Sequence, residues 1–220
     1  MRVRIDLKIF IFLALFYFTN QIKIYLIIMF FSIIHELGHI IMGLILKMKP
    51  NRLEIMPCGL AISFTTNMDD LNCKIKNGNL LELKKIFVAL AGPIVSLMLT
   101  ILYTYIEPVY ITKQDAIYSN ILILLFNLIP LYPLDGGRII KGLLQIEFGN
   151  FNSQIITNKF SNITMIVLTI ISSIAVYSLK NIAIFLICIF LWIVTLQENK
   201  IFNNKMKMYE LFNSKEELSD

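Results

Sequence analysis

The sequence predicts an all-α polytopic membrane protein with six transmembrane helices, and three observations carry that prediction. Hydrophobic residues make up 57% of the 220 and charged residues only 16%, for a mean hydropathy of +0.71. A soluble domain runs nearer half apolar and a quarter charged. Apolar runs of about 20 residues, long enough to cross a bilayer as helices, recur along the chain. Finally, the basic residues fall almost entirely on one side of the spans so defined, as cytoplasmic loops require. With 9 Gly and 6 Pro the chain is not collagen-like, and apolar runs of this length exclude disorder.

The apolar segments are, in order, Ile9–Phe18, Ile22–Leu46, Ile86–Ile106, Ala116–Leu134, Phe160–Leu179 and Ile182–Leu196. The first has the length of a signal-peptide core, with Arg2, Arg4 and Lys8 as its basic flank. Thr19-Asn20-Gln21 offers no small-residue cleavage site, so it reads as a short uncleaved span. The loop 47–85 is the one sizeable connection. Within it, Arg52–Phe64 places Pro57 and Gly59 between short β-prone runs, giving either a small β-hairpin or a plain cytoplasmic loop. Residues 1–200 then form a six-span core and 201–220 a short cytoplasmic tail, either solvated or lying as a helix on the membrane surface.

Six spans put both termini on one side. That side carries 17 of the 20 Lys and Arg, against Lys23, Lys113 and Lys180 opposite, so both termini are expected in the cytoplasm. The net charge of +5 belongs to these loops and does not mark a nucleic-acid partner. Cys58, Cys73 and Cys188 form no CxxC pair. They build neither a disulfide framework nor a thiolate zinc site, and are read as small buried hydrophobes.

The second segment contains His35-Glu36-Leu37-Gly38-His39. Residues four apart share a helix face, so both imidazoles can reach one cation, and Glu36 can reach the water activated there. The chain has only two histidines, and this spacing with an adjacent glutamate arises by chance roughly four times in ten thousand. Glu36 lies 14 residues after Ile22. A carboxylate that deep in a span costs on the order of 2–3 kcal/mol, which marks function; a structural Glu–His hydrogen bond is the alternative.

Zinc catalysis calls for a third protein ligand and an open fourth position. With no histidine remaining, that ligand is a carboxylate or a cysteine, and the candidate is Asp135 in Asn127-Leu128-Ile129-Pro130-Leu131-Tyr132-Pro133-Leu134-Asp135-Gly136-Gly137-Arg138. His35 and His39 lie about 20–26 Å along the second span, and Asp135 about 27 Å along the fourth, which runs in the same direction. Pro130 and Pro133 break helical geometry there, so Asp135 is expected on an unwound segment lining a cavity. A loop aspartate before a Gly-Gly turn is the competing reading. Gly92 and Ser96, four apart on the third span, are read as helix-packing positions without chemistry.

HELGH in an early span, Ala91-Gly92-Pro93 in the third, and the NxxPxxPLDGGR stretch at 127–138 together resemble the site-2 protease family of intramembrane zinc metalloproteases. The short six-span layout and Met56-Pro57-Cys58-Gly59 in the first loop look most like the sporulation branch, which processes a sigma-factor precursor. The resemblance implies Zn2+ held by His35, His39 and Asp135, Glu36 as general base, and Asn127 as a hydrogen-bond donor to the oxyanion or a cap for backbone freed near Pro130. It also implies a protein substrate cut near the cytoplasmic face of a bacterial membrane, and inhibitory membrane partners. The first loop has no room for a PDZ domain, and the tail none for a CBS domain. Alternatives are a family member acting on an anti-sigma factor or signal-peptide remnant, a metal-binding transporter, and a catalytically silent scaffold.

Overall fold

The structure, a computed structural model, describes residues 2–5, 8–18, 20–56, 59–65, 76–179 and 182–217, with the strands described by their backbone alone. Pro57 and Cys58, and the part of the first loop from 66 to 75 that includes Cys73, lie outside the described residues. Two compact units divide the chain, Met1–Ile129 and Pro130–Asp220.

In the first unit, β1 (Arg2–Ile5) and α1 (Lys8–Phe18) precede α2 (Ile22–Ile45). Then come β2 (Lys49–Met56), β3 (Gly59–Thr65), α3 (Lys76–Tyr105) and α4 (Lys113–Asn127). The strands form one sheet in the order β1-β2-β3. β2 and β3 pair antiparallel from Lys49 opposite Thr65 to Met56 opposite Gly59, with an irregularity between Pro50 and Arg52. Proline has no N–H to give to a ladder, so a break in register beside it is physically apt. β1 adds to β2 in parallel, Arg2 opposite Arg52 and Ile5 opposite Ile55. A three-stranded sheet thus accompanies a predominantly helical chain, and Arg2 and Arg4 lie in its first strand.

α2 buries one stripe, Ile27, Phe31, His35, Gly38 and His39. The apolar end of that stripe packs with Ala116 and Ile123 of α4, and Phe31 meets Tyr103 of α3 edge-on at 5.7 Å. Histidines therefore continue the same helix face that makes the core. α2 ends in a Schellman turn. Met48 N–H donates to Gly43 O at 2.8 Å and Lys47 N–H to Leu44 O at 3.0 Å, with Lys47 at φ 58 in the conformation glycine usually fills. α4 starts at an N-cap, where the Thr112 side chain accepts from Asp115 N–H, and stops at Asn127, short of the expected Leu134. Pro130 cannot continue it.

In the second unit, the irregular stretch 130–134 leads into α5 (Asp135–Leu179) and α6 (Ile182–Glu217). The residues 135–159, between the fourth and fifth apolar segments, are helical, and α5 comprises two helices meeting at Gly149 (φ 77, ψ 172). Backbone groups released by the prolines find partners further along α5. Tyr132 N–H donates to Ser161 Oγ at 3.0 Å, and Thr164 Oγ1 donates to Pro130 O at 3.3 Å. The chain can fold back this closely because residue 137 is glycine; a Cβ there would lie 2.4 Å from Leu131 C. α5 and α6 are tied by Trp192 Nε1 to Thr169 Oγ1 and by Asn199 Nδ2 to Asn162 Oδ1, each at 2.9 Å. Cys188 is buried with a free thiol.

Three helices are long and apolar enough to cross a membrane among the described residues: Ile22–Ile45, Asn79–Tyr105 and Asp135–Ala175. Six spans were expected. α1, with 11 residues, and α4, with 15, fall short of the roughly 20 that a bilayer needs. The residues 201–217 continue α6, which runs unbroken to Glu217.

Candidate metal centre

The two histidines of α2 are completely buried or nearly so, at 0% for His35 and 3% for His39. Each has its Nδ1 engaged by α3. His39 Nδ1 donates to the main-chain carbonyl of Val88 at 2.6 Å. A carbonyl only accepts, so the proton sits on Nδ1 and the Nε2 lone pair is exposed to a ligand. His35 Nδ1 lies 2.9 Å from Ser96 Oγ, whose oxygen can accept the corresponding proton. The Nε2 atoms are 3.2 Å apart and the rings stand at 80°. Two imidazoles on a tetrahedral zinc, with Zn–N about 2.0–2.1 Å, would hold their nitrogens roughly 3.3 Å apart. The pair fits that edge.

α3 approaches this pair through a glycine. A Cβ on Gly92 would lie 2.3 Å from His39 Nε2 and 2.5 Å from His35 Nε2, so any larger residue would occupy the space in front of both lone pairs. One turn away, Gly38 of α2 gives the same kind of access; a Cβ there would meet Val95 Cγ2 at 2.8 Å and Ala91 O at 3.1 Å. Pro93 lies inside α3 and removes the N–H that Ala89 O would otherwise accept, next to the carbonyl that His39 uses. The reading of Gly92 and Ser96 as packing positions without chemistry is therefore corrected. Both touch the histidines, a relation that sequence spacing on one helix does not display.

Glu36, adjacent to His35, is half-buried on the same helix. Asn127 is the last residue of α4, and its Nδ2 donates to Ile123 O at 3.0 Å, leaving the second amide hydrogen for another acceptor. Asp135 is 5% exposed and is the first residue of α5, not part of the unwound stretch where it was expected. Arg138 Nη1 lies 3.8 Å from its Oδ1.

His35 and His39 in the first unit and Asp135 in the second each offer one buried ligand atom. Two neutral imidazoles and a carboxylate are the donor set of a catalytic zinc with one position open, so the residues present fit the metal.

Comparison with known proteins agrees with this chemistry. Residues 107–171 match the family described as peptidase family M50. The chain is 26% identical over 183 residues to a zinc metalloprotease of Methanocaldococcus jannaschii, an alignment covering 80% of this chain and 49% of that protein. It is 24% identical over 144 residues to stage IV sporulation protein FB of Bacillus subtilis, covering 64% and 46%. The chain thus spans about half the length of the curated relatives it matches. Among solved structures, the site-2 protease from Methanocaldococcus jannaschii superposes with a TM-score of 0.64 over 89% of both chains at 21% identity, a likeness of fold.

Proposed function

We propose that this chain, by fold a site-2 protease and by sequence matched to peptidase family M50, is an intramembrane zinc endopeptidase. The observation that carries the proposal is the histidine pair, buried, pinned through Nδ1, and presenting both Nε2 atoms at the spacing a zinc edge requires. Asp135 completes the ligand set. Bound there, zinc supplies Lewis acidity toward the scissile carbonyl and a lowered pKa for water.

The chain's own groups do the rest. Glu36 takes the proton of the attacking water and returns it to the leaving amine. Asn127 turns its second amide hydrogen toward the developing oxyanion. Ser96 and the Val88 carbonyl hold the imidazoles in the tautomer that leaves Nε2 unprotonated. The basic loops put both termini and the cleavage site toward the cytoplasm. A protein tethered at that face is the substrate, and the sporulation resemblance favours a sigma-factor precursor of the pro-sigma-K kind over an anti-sigma factor or signal-peptide remnant.

The test pairs two measurements on the purified chain and on Glu36→Gln. Zinc content is expected to be equal in both, while cleavage of a co-expressed sigma-factor precursor falls by at least 10²-fold in the variant, within the range for loss of a general base. Turnover retained by Glu36→Gln removes the general-base role. Stoichiometric zinc with no Glu36-dependent cleavage of any protein favours the transporter reading.

A further inference from the structure

The second unit holds a partly open cavity of about 70 Å³, with none of the metal ligands in its lining, walled by α5, α6 and Tyr132. That is room for one small polar group and a few waters. Two of its polar atoms have no partner: Thr157 Oγ1 and Asn199 Oδ1 are buried without a hydrogen bond. Thr157 is 5% exposed. A buried hydroxyl or carbonyl left unpaired costs about 1–3 kcal/mol, so a cavity lined with such groups is built to meet something that supplies the partners.

The lining states the chemistry of that partner. Gln154, Asn158 and Asn199 contribute carboxamides, which both donate and accept, as a peptide unit does. Lys141 and Glu198 contribute one charge of each sign, so the site selects neither an anion nor a cation. A cation would need clustered carboxylates or imidazoles, while Ile201 and Phe202 add apolar surface beside the carboxamides. Lys141 sits over the Tyr132 ring, 4.6 Å from its centre, and follows Asp135 by six residues on α5. That is about 9 Å of helix. An extended peptide covers the same distance in roughly three residues.

We infer that this cavity receives a small polar side chain of the protein substrate, about three residues from the bond that is cut. The inference rests on the proteolytic reading and adds a subsite to it. Thr157 and Asn199 are binding residues there and do not act on the scissile bond.

The test uses the full-length chain in detergent with β-casein, an unfolded protein, as probe, and maps cleavage sites by mass spectrometry. Thr157→Val and Asn199→Leu are compared with the wild type for zinc content, melting midpoint, kcat and KM. Each variant is expected to keep its zinc and kcat and to raise KM roughly tenfold, the value of one hydrogen bond. The preference for Asn, Gln, Ser or Thr about three residues from the cut should flatten. Unchanged KM and site preference in a folded Thr157→Val overturn the inference and leave a cavity filled only by water; Thr157→Val removes an unpaired hydroxyl at constant shape, so its fold is secure. Loss of all Glu36-dependent cleavage in the wild type overturns the proteolytic reading itself, and the inference with it.

Discussion

Ser96 Oγ lies 2.9 Å from His35 Nδ1, and both side chains are 0% exposed. A hydroxyl in that position orients the imidazole and fixes which nitrogen carries the proton. Ser96→Ala should lower zinc affinity about 10- to 100-fold, measured by competition with a chromogenic chelator, with cleavage restored at high zinc. Unaltered affinity would reduce Ser96 to a packing residue.

Gly92 and Gly38 both face the neighbouring helix, but what a methyl would meet differs. At Gly92 it meets the Nε2 atoms of both histidines; at Gly38 it meets Val95 and a carbonyl of α3. Gly92→Ala should therefore abolish zinc binding and cleavage together. Gly38→Ala should act through overpacking, costing about 1–3 kcal/mol in a detergent melt while the folded fraction still binds zinc.

Asp135→Ala should lower zinc occupancy in purified protein and eliminate cleavage, because two imidazoles alone leave the ion without its anionic ligand. Metal analysis after dialysis against a weak chelator reads the loss directly. Full loading in that variant would identify another residue as the third ligand.

Lys47 occupies the left-handed position of the turn that ends α2, at φ 58. Lys47→Gly relieves that conformation and should stabilise the chain by up to about 1 kcal/mol, a rise of roughly 2–4 °C in melting midpoint. Cleavage should be unchanged, since the substitution leaves the metal ligands and Glu36 untouched.

Much of the centre was legible because its signals are local. His35, Glu36 and His39 lie within one helical turn and a quarter, and Asp135 sits in a Pro-Gly-rich stretch that announces a break. Pro130 and Pro133 announce a break there too, although apolarity alone extends the fourth segment to Leu134, past the helix end at Asn127. What escaped depends on contacts between distant positions. Ser96 meets His35 across 61 residues, and the strand Arg2–Ile5 pairs with residues 52–55. In a four-residue Arg-Val-Arg-Ile segment, a strand and a basic flank look alike. Apolarity alone says nothing of the helical stretch 135–159, which lies between two apolar segments.

The Val88 carbonyl that holds His39 belongs to the peptide backbone and to no side chain. Codon changes at position 88 alter what surrounds that oxygen without deleting it. Alanine scanning would therefore flag His39 as indispensable and pass over its anchor in silence. Only chemical synthesis could weaken it selectively, by replacing the Val88–Ala89 amide with an ester whose carbonyl accepts poorly. Tethered in this way, the ring's aim is inherited from the course of α3 itself, and drift in the surrounding sequence leaves it standing.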